Sequence, residues 1–309
     1  MYLTHQVDLL PNGGWDERIL LVRNGTLVTV AILVTTRFVV IFDTLFNPTT
    51  ARALLEIALG HCNHTPRQLL VVNSHADWDH AWGNGVFAGP GAHRPAPIIA
   101  HAQAAARLTH PDSAAELRAL QAAHPGYFDE VVLTPPTLTF TGDFTIDGGD
   151  LTLHLLATPG HTPDHLALYI PELETLLAAD AAELPYPAPA TVAGLPTLRA
   201  SLARLATLRP VHALYCHAPI DAGPALIQTN IAYFDALEAA CRAALARGID
   251  PAHLATHDDA TLIALLDCPY EKVTPQGGAW AEVEFAYRTP AHAAQLRRML
   301  AWLASSNRG

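Results

Sequence analysis

A chain of 309 residues leaves room for two domains, and with half its residues apolar, 15% charged and a mean hydropathy of +0.18 it must bury a sizeable core and is no disordered chain. The formal charge of −11 repels phosphate backbones and argues against a general nucleic-acid binder. Cys62, Cys216, Cys241 and Cys268 are widely spaced and form no CxxC pair, so they are expected as reduced, mostly buried thiols and not as a disulfide framework or an all-cysteine zinc site.

MYLTHQVDLL at the start has neither a basic nor an apolar signal region, and the apolar stretch over 27–42 is broken by Thr29, Thr35, Thr36 and Arg37. No signal peptide and no membrane span are expected, and the expected location is cytoplasmic. The first elements read as strands: 18–23, 26–34 and 38–43, with Asn24-Gly25 as a two-residue hairpin between the first two. Pro48 opens a helix over 49–59, closed by Gly60. Residues 68–73 form a buried strand that runs straight into His75-Ala76-Asp77-Trp78-Asp79-His80. A short strand follows at 97–100, then helices at 102–108 and 114–123.

Strands return at 140–146, 151–157, 165–170 and 175–179, with Asp147-Gly148-Gly149-Asp150 as a turn cluster. A helix over 195–208 ends before Pro210, and 211–216 is a strand. Each half thus has strands first and helix–strand units after. This order predicts two sheets packed face to face with helices outside, not a doubly wound parallel sheet. Segment 181–197 holds Pro185, Pro187, Pro189 and Pro196 around Tyr186 and reads as a conformationally restricted loop. Beyond residue 221 the pattern turns helical. Ile227, Ile231, Phe234, Leu237, Cys241 and Leu245 repeat every three or four residues, Gly248 stops that helix, and 262–266 and 292–303 read as further helices. The expected organisation is therefore an α/β domain over 1–221 and a helical extension over 222–309.

Four strand ends deliver metal-ligand side chains. The first is the segment His75–His80, with four candidate ligands in six residues. The second is the Pro159-Gly160-His161 turn. The third is Asp180, and the fourth is His217. Imidazole and carboxylate together suit zinc, iron or manganese.

The order, spacing and strand-end placement of these groups resemble the metallo-β-lactamase-fold hydrolases over about residues 15–220. The resemblance implies an αββα sandwich with two divalent metal ions. His75, Asp77 and His161 would bind one ion, Asp79, His80 and His217 the other, and Asp180 would bridge them. The implied activity is hydrolysis of a small ester, thioester, lactone or amide through a metal-bridging hydroxide, with Asp79 or Asp180 moving the proton. Zinc is the first expectation. Asp77 stands where the family pattern has a second histidine, which brings iron or manganese into consideration and motivates a diiron redox protein as an alternative; a non-catalytic metal-binding sensor is another. No GxSxG nucleophile elbow is present. The expected partner is a small-molecule substrate, with no nucleic acid and no membrane. The sequence leaves open the oligomeric state, and whether Tyr186, His101, Asp164 or His165 acts at the site. Trp78 and Trp82 are expected to pack beneath the ligand loop. His64 and the other histidines without a partner pattern read as ordinary core or surface residues.

Overall fold

A computed structural model describes residues 3–62, 67–250, 253–254 and 256–306; His64 lies outside them. The chain divides into two compact units. One takes the chain up to Thr158 together with Asp164–Ala179 and Pro210–Asp221. The other takes Pro159–Pro163, Asp180–Arg209 and the chain from Ala222 on.

The first unit is the α/β unit, and it holds both sheets. Its seven-stranded sheet runs β1 (Val7–Leu10), β2 (Ile19–Asn24), β3 (Val28–Val34), β4 (Phe38–Phe42), β5 (Gln68–Val72), β6 (Ile98–His101) and β7 (Leu138–Phe140), in that spatial order. Strands β1 to β4 pair antiparallel and β4 to β7 parallel. The second sheet has the order β12 (His212–Tyr215), β11 (Thr175–Ala179), β10 (Leu166–Ile170), β9 (Thr152–Ala157), β8 (Phe144–Asp147), and only β11 and β12 pair parallel.

One apolar core joins the two sheets, from Ile32, Val40 and Val71 on one side to Leu155, Leu168 and Leu177 on the other. Every residue of β3 is buried, which is why its sequence is a nearly continuous apolar run instead of alternating. Each fully buried Val, Leu or Ile side chain contributes about 1.5–3 kcal/mol relative to exposure. Helix α1 (Pro48–Cys62) buries Ala51, Leu54, Leu55 and Ala58 in the same core. The described residues of this unit also form the α-helices α2 (Trp78–Ala81), α3 (Ala102–Leu108) and α4 (Pro111–Ala123).

Three local expectations differ from the structure. Asn24 remains in the ladder opposite Val28, so the hairpin loop is the three residues 25–27. Burial explains this: the Asn24 amide donates to the carbonyls of Thr4 (2.8 Å) and Gln6 (2.7 Å), which fixes it as a strand residue and moves the left-handed position to Gly25. Residues 140–146 are not one strand. Gly142, at φ 72°, separates β7 from β8, and the chain passes from the first sheet to the second there. Helix α1 runs through Gly60 to Cys62, and β1 went unanticipated because its outward residues are polar or exposed.

The second unit is helical: α5 (Gly194–Thr207), α6 (Ala225–Ala246), α7 (Asp259–Leu265), α8 (Tyr270–Val273) and α9 (His292–Ser306). In α6 the expected stripe is buried at Ile227, Phe234, Leu237 and Cys241, joined by Tyr233 and Ala244. Gly248 lies at φ 79°, past the end of that helix. This unit also contains α5 and the proline-rich loop before it, both ahead of residue 222. Among the described residues no helix is long and apolar enough to cross a membrane.

Candidate metal centre

Strand β5 lies between β4 and β6, parallel to both, so its carboxyl end is a rigid place from which to present a loop. The loop is locked just after the strand. Asn73 and Asn84 exchange amide hydrogen bonds at 2.9 and 3.1 Å, both buried. Ser74 donates its backbone N–H and its hydroxyl to the two oxygens of buried Asp43, each at 2.7 Å. Helix α2 then carries Asp79 and His80 inward. Behind it Gly83 is obligatory, because a Cβ there would lie 2.1 Å from the Thr44 carbonyl oxygen. Trp82 is buried against Phe128, and Trp78 packs on Phe46 and Phe128, so both tryptophans support the loop as expected.

Three imidazoles of this unit share one arrangement. His80 has Nδ1 3.0 Å from Asp43 Oδ2 and Nε2 3.5 Å from Asp79 Oδ2. His217, two residues past β12, has Nδ1 2.8 Å from the Leu27 carbonyl and Nε2 3.3 Å from the same Asp79 oxygen. His75 has Nδ1 2.9 Å from Ser74 Oγ and Nε2 3.5 Å from Asp77 Oδ2. In each ring Nδ1 meets an oxygen that fixes the ring plane, and Nε2 faces a carboxylate. Ligand atoms of Asp79, His80 and His217 all lie within 4.8 Å of one another, a grouping that could hold a metal ion. Burial works against ionising Asp79, but His80 and His217 outweigh it and hold the carboxyl below the usual carboxylate range.

Asp77 has a second partner. Its Oδ1 lies 2.5 Å from the Arg107 guanidinium on α3, which also reaches Asp164 Oδ1 at 2.6 Å. Asp164 is fully buried, and its other oxygen accepts the Ala76 N–H at 2.8 Å. It therefore braces the ligand loop. Desolvation opposes the charge on Arg107, and the two carboxylates more than compensate, raising its pKa. His165 bonds Thr158 Oγ1 at 2.8 Å and packs its ring 5.1 Å from His75. His101 accepts the Gln103 N–H and caps α3.

In the helical unit, His161 and Asp180 come together. His161 Nε2 is 3.6 Å from Asp180 Oδ2 and its Nδ1 is 3.6 Å from Glu183 Oε1, and the three form a second grouping that could hold a metal ion. Gly160, at φ 139°, is required in front of His161, since a Cβ would lie 2.3 Å from Leu198 Cα. Asp180 follows a β-bulge between β11 and β12 and the left-handed Ala179, at φ 47°. Tyr186 is buried, stacked on Tyr233, and donates to the Tyr287 carbonyl, so its hydroxyl serves the helical packing.

Sequence reading missed Asp43, Arg107 and Glu183. Asp43 left a faint signal, as a carboxylate ending an apolar strand, the same signal that marked Asp180. Arg107 and Glu183 left none, because each meets its partner only through the fold.

The sequence model of the metallo-beta-lactamase superfamily matches residues 24–217, more than half of the chain. The chain belongs to the metallo-beta-lactamase superfamily. Solved structures of the same fold include a metallo-beta-lactamase family protein from Thermus thermophilus, with 22% identity, a TM-score of 0.59, and coverage of 91% of this chain and 89% of that one. A metallo-beta-lactamase from Pontibacter korlensis matches at 18% identity and TM-score 0.53, over 73% of this chain and 97% of that one. The inverting sec-alkylsulfatase Pisa1 from Pseudomonas sp. matches at 16% identity and TM-score 0.60, over 92% of this chain and 49% of that one. No curated protein matches the chain.

Proposed function

We propose that this chain is a binuclear metal-dependent hydrolase of a small ester, thioester, lactone or amide. The supporting observation is the shared arrangement of His75, His80 and His217, each anchored through Nδ1 with Nε2 directed at a carboxylate oxygen 3.3–3.5 Å away. Imidazole nitrogens and carboxylate oxygens gathered in this way fit zinc, iron or manganese, with zinc the first candidate. Following the family pattern, His75, Asp77 and His161 would hold one ion, Asp79, His80 and His217 the other, and Asp180 both. When bound, such ions supply a water acidic enough to ionise near neutrality and polarise the electrophilic carbonyl. Asp79 and Asp180 are the groups to accept the proton and return it to the leaving group. Asp43, Ser74 and the Leu27 carbonyl keep the imidazoles in the orientation that binding requires.

The proposed substrate is small and uncharged. In the α/β unit, α3 and α4 border a cavity of about 560 Å³ lined by Arg107, His110, Ser113 and Glu116, a size suited to a small molecule. The one Arg107 charge is shared there between two carboxylates, Asp77 and Asp164, and the acidic Glu116 also lines the cavity. Such walls do not offset the desolvation of a polyanion.

Protein purified without chelator should carry near two equivalents of zinc, iron or manganese. It should be assayed against esters, thioesters, lactones and phosphodiesters, with β-lactams and sulfate esters added because of the named structural neighbours. Uncharged substrates should be turned over faster, with weak salt dependence. Absence of bound metal after soaking would remove the assignment. Strong preference for a phosphodiester, weakening steeply with salt, would replace it with a nuclease.

A further inference from the structure

The carboxylate at position 77 is the main departure from the family pattern, and the structure shows a matching feature 30 residues away. Arg107 spans two carboxylates with its fork, one nitrogen on Asp77 Oδ1 at 2.5 Å and the other on Asp164 Oδ1 at 2.6 Å. Asp164 is fully buried and tied to the Ala76 N–H, so it fixes where the guanidinium sits. Asp77 Oδ1 is thereby occupied, and Oδ2 is the oxygen that faces His75 Nε2 at 3.5 Å.

Resting on the functional reading above, we propose that Arg107 is a positioning residue that makes Asp77 a one-oxygen ligand, as the imidazole it replaces would be a one-nitrogen ligand. The argument has two steps. A free carboxylate offers two oxygens and a full negative charge, which favours harder ions with more ligands, such as manganese, over zinc. Arg107, bonded to Oδ1 and shared with Asp164, blocks two-oxygen binding and offsets only part of the charge. Lysine would not serve equally, because a single ammonium lacks the planar fork that reaches both carboxylates. Arg107 thus keeps the site selective for zinc despite the carboxylate.

The test is a selectivity ratio, measured with metal ions alone on the full chain. Removing Arg107 would leave Asp164 buried without its partner, so the comparison is made in an Asp164→Asn background, which is uncharged and still accepts the Ala76 N–H. Zinc and manganese dissociation constants are measured with and without Arg107→Met, and again with Asp77→His present in both chains. The preference for zinc over manganese should fall at least about tenfold on losing Arg107 when Asp77 is present. It should change less than about twofold when Asp77→His is present. Cobalt-loaded protein gives an independent signature: its visible absorption should weaken as the coordination number rises, again only with Asp77 in place. Arg107→Lys in the otherwise native chain serves if the double variant does not fold, and should shift the ratio in the same direction. A ratio that moves equally in both backgrounds, or in neither, overturns the proposal and leaves Arg107 a purely structural brace. The two readings fail differently. A native chain that takes up no metal removes the hydrolase reading and this inference with it, whereas a native chain that binds two ions with a ratio indifferent to Arg107 removes only this inference.

Discussion

His80 in the α/β unit and His292 in the helical unit are both fully buried, yet their surroundings are opposite in kind. His292 is bonded at both nitrogens by groups that bind no metal in such a setting: Nδ1 to the Tyr233 hydroxyl at 2.8 Å and Nε2 to the Cys268 carbonyl at 2.7 Å. Its ring is consumed in joining α9 to α6 and to the chain before α8. His80 is anchored through Nδ1 on Asp43, and its Nε2 is turned to the Asp79 carboxylate. The difference teaches that burial alone does not mark a functional histidine. The marker is one nitrogen held by an acceptor while the other converges with further ligand-type atoms. His75 and His217 follow the His80 pattern; among the described residues, no histidine that sequence reading set aside belongs to such a grouping.

The comparison predicts separable losses. Asp79→Ala has the largest expected effect, because it removes the oxygen on which both His80 and His217 converge. Hydrolysis should fall by roughly 10³-fold or more in kcat/KM. Metal content should drop in parallel, while the fold, read by circular dichroism, persists. A variant with native turnover would show that these imidazoles are as structural as His292.

Asp43→Asn tests the anchoring half of the pattern. The carboxylate accepts from the Ser74 N–H and hydroxyl and from His80. An amide of equal size keeps the packing but weakens the hold on His80 Nδ1. Metal affinity should weaken about 10- to 100-fold, measured by competition with a chromophoric chelator. Unchanged affinity would mean that the ring needs no such support.

These two residues also show what the sequence does and does not reveal. Asp79 was legible because it lies within six residues of His75, Asp77 and His80, at the end of a strand whose apolar run is itself conspicuous. The two sheets were legible for the same local reason, in runs such as Val28–Val34 and Thr175–Ala179 that need both faces covered. Asp43 reaches Ser74 from 31 residues away, and Arg107 reaches Asp164 from 57. Partners of that separation are selected by strand order and helix placement, which no local spacing encodes. The failed readings have a similar cause. Asn24-Gly25 looked like the turn itself until the buried amide of Asn24 was claimed by the carbonyls of Thr4 and Gln6. The single strand expected over 140–146 contains the change of sheet at Gly142.

His292→Leu addresses the other side of the comparison. It leaves the Tyr233 hydroxyl and the Cys268 carbonyl without their buried partner, at a cost of about 1–3 kcal/mol. The urea midpoint should fall accordingly while metal content stays native. Loss of metal together with stability would mean that His292 is not confined to the helical packing.

The smallest expected effect is a slope. Burial disfavours the charged form of His292 and lowers its pKa below the ordinary 6.5, against the opposing influence of the Cys268 carbonyl and Glu271. Tyr233, whose own pKa is raised by burial, and Tyr270 complete its surroundings and stay neutral in this range. In the unfolded chain the imidazole takes a proton near pH 6.5; in the folded chain it resists until a lower pH. Between those two points the unfolded state binds more protons, so stability rises with pH there. The contribution is complete above about pH 6.5 and is lost as the pH falls below it, by at most about 1.4 kcal/mol per pH unit. Other groups titrate in the same window, so the informative quantity is a difference between chains. His292→Gln supplies a donor and an acceptor with no charge change. Urea midpoints at pH 5.5 and 7.5 should therefore differ less in His292→Gln than in the native protein. Equal differences would mean that His292 is protonated as easily when folded as when unfolded, and that burial does not hold it neutral.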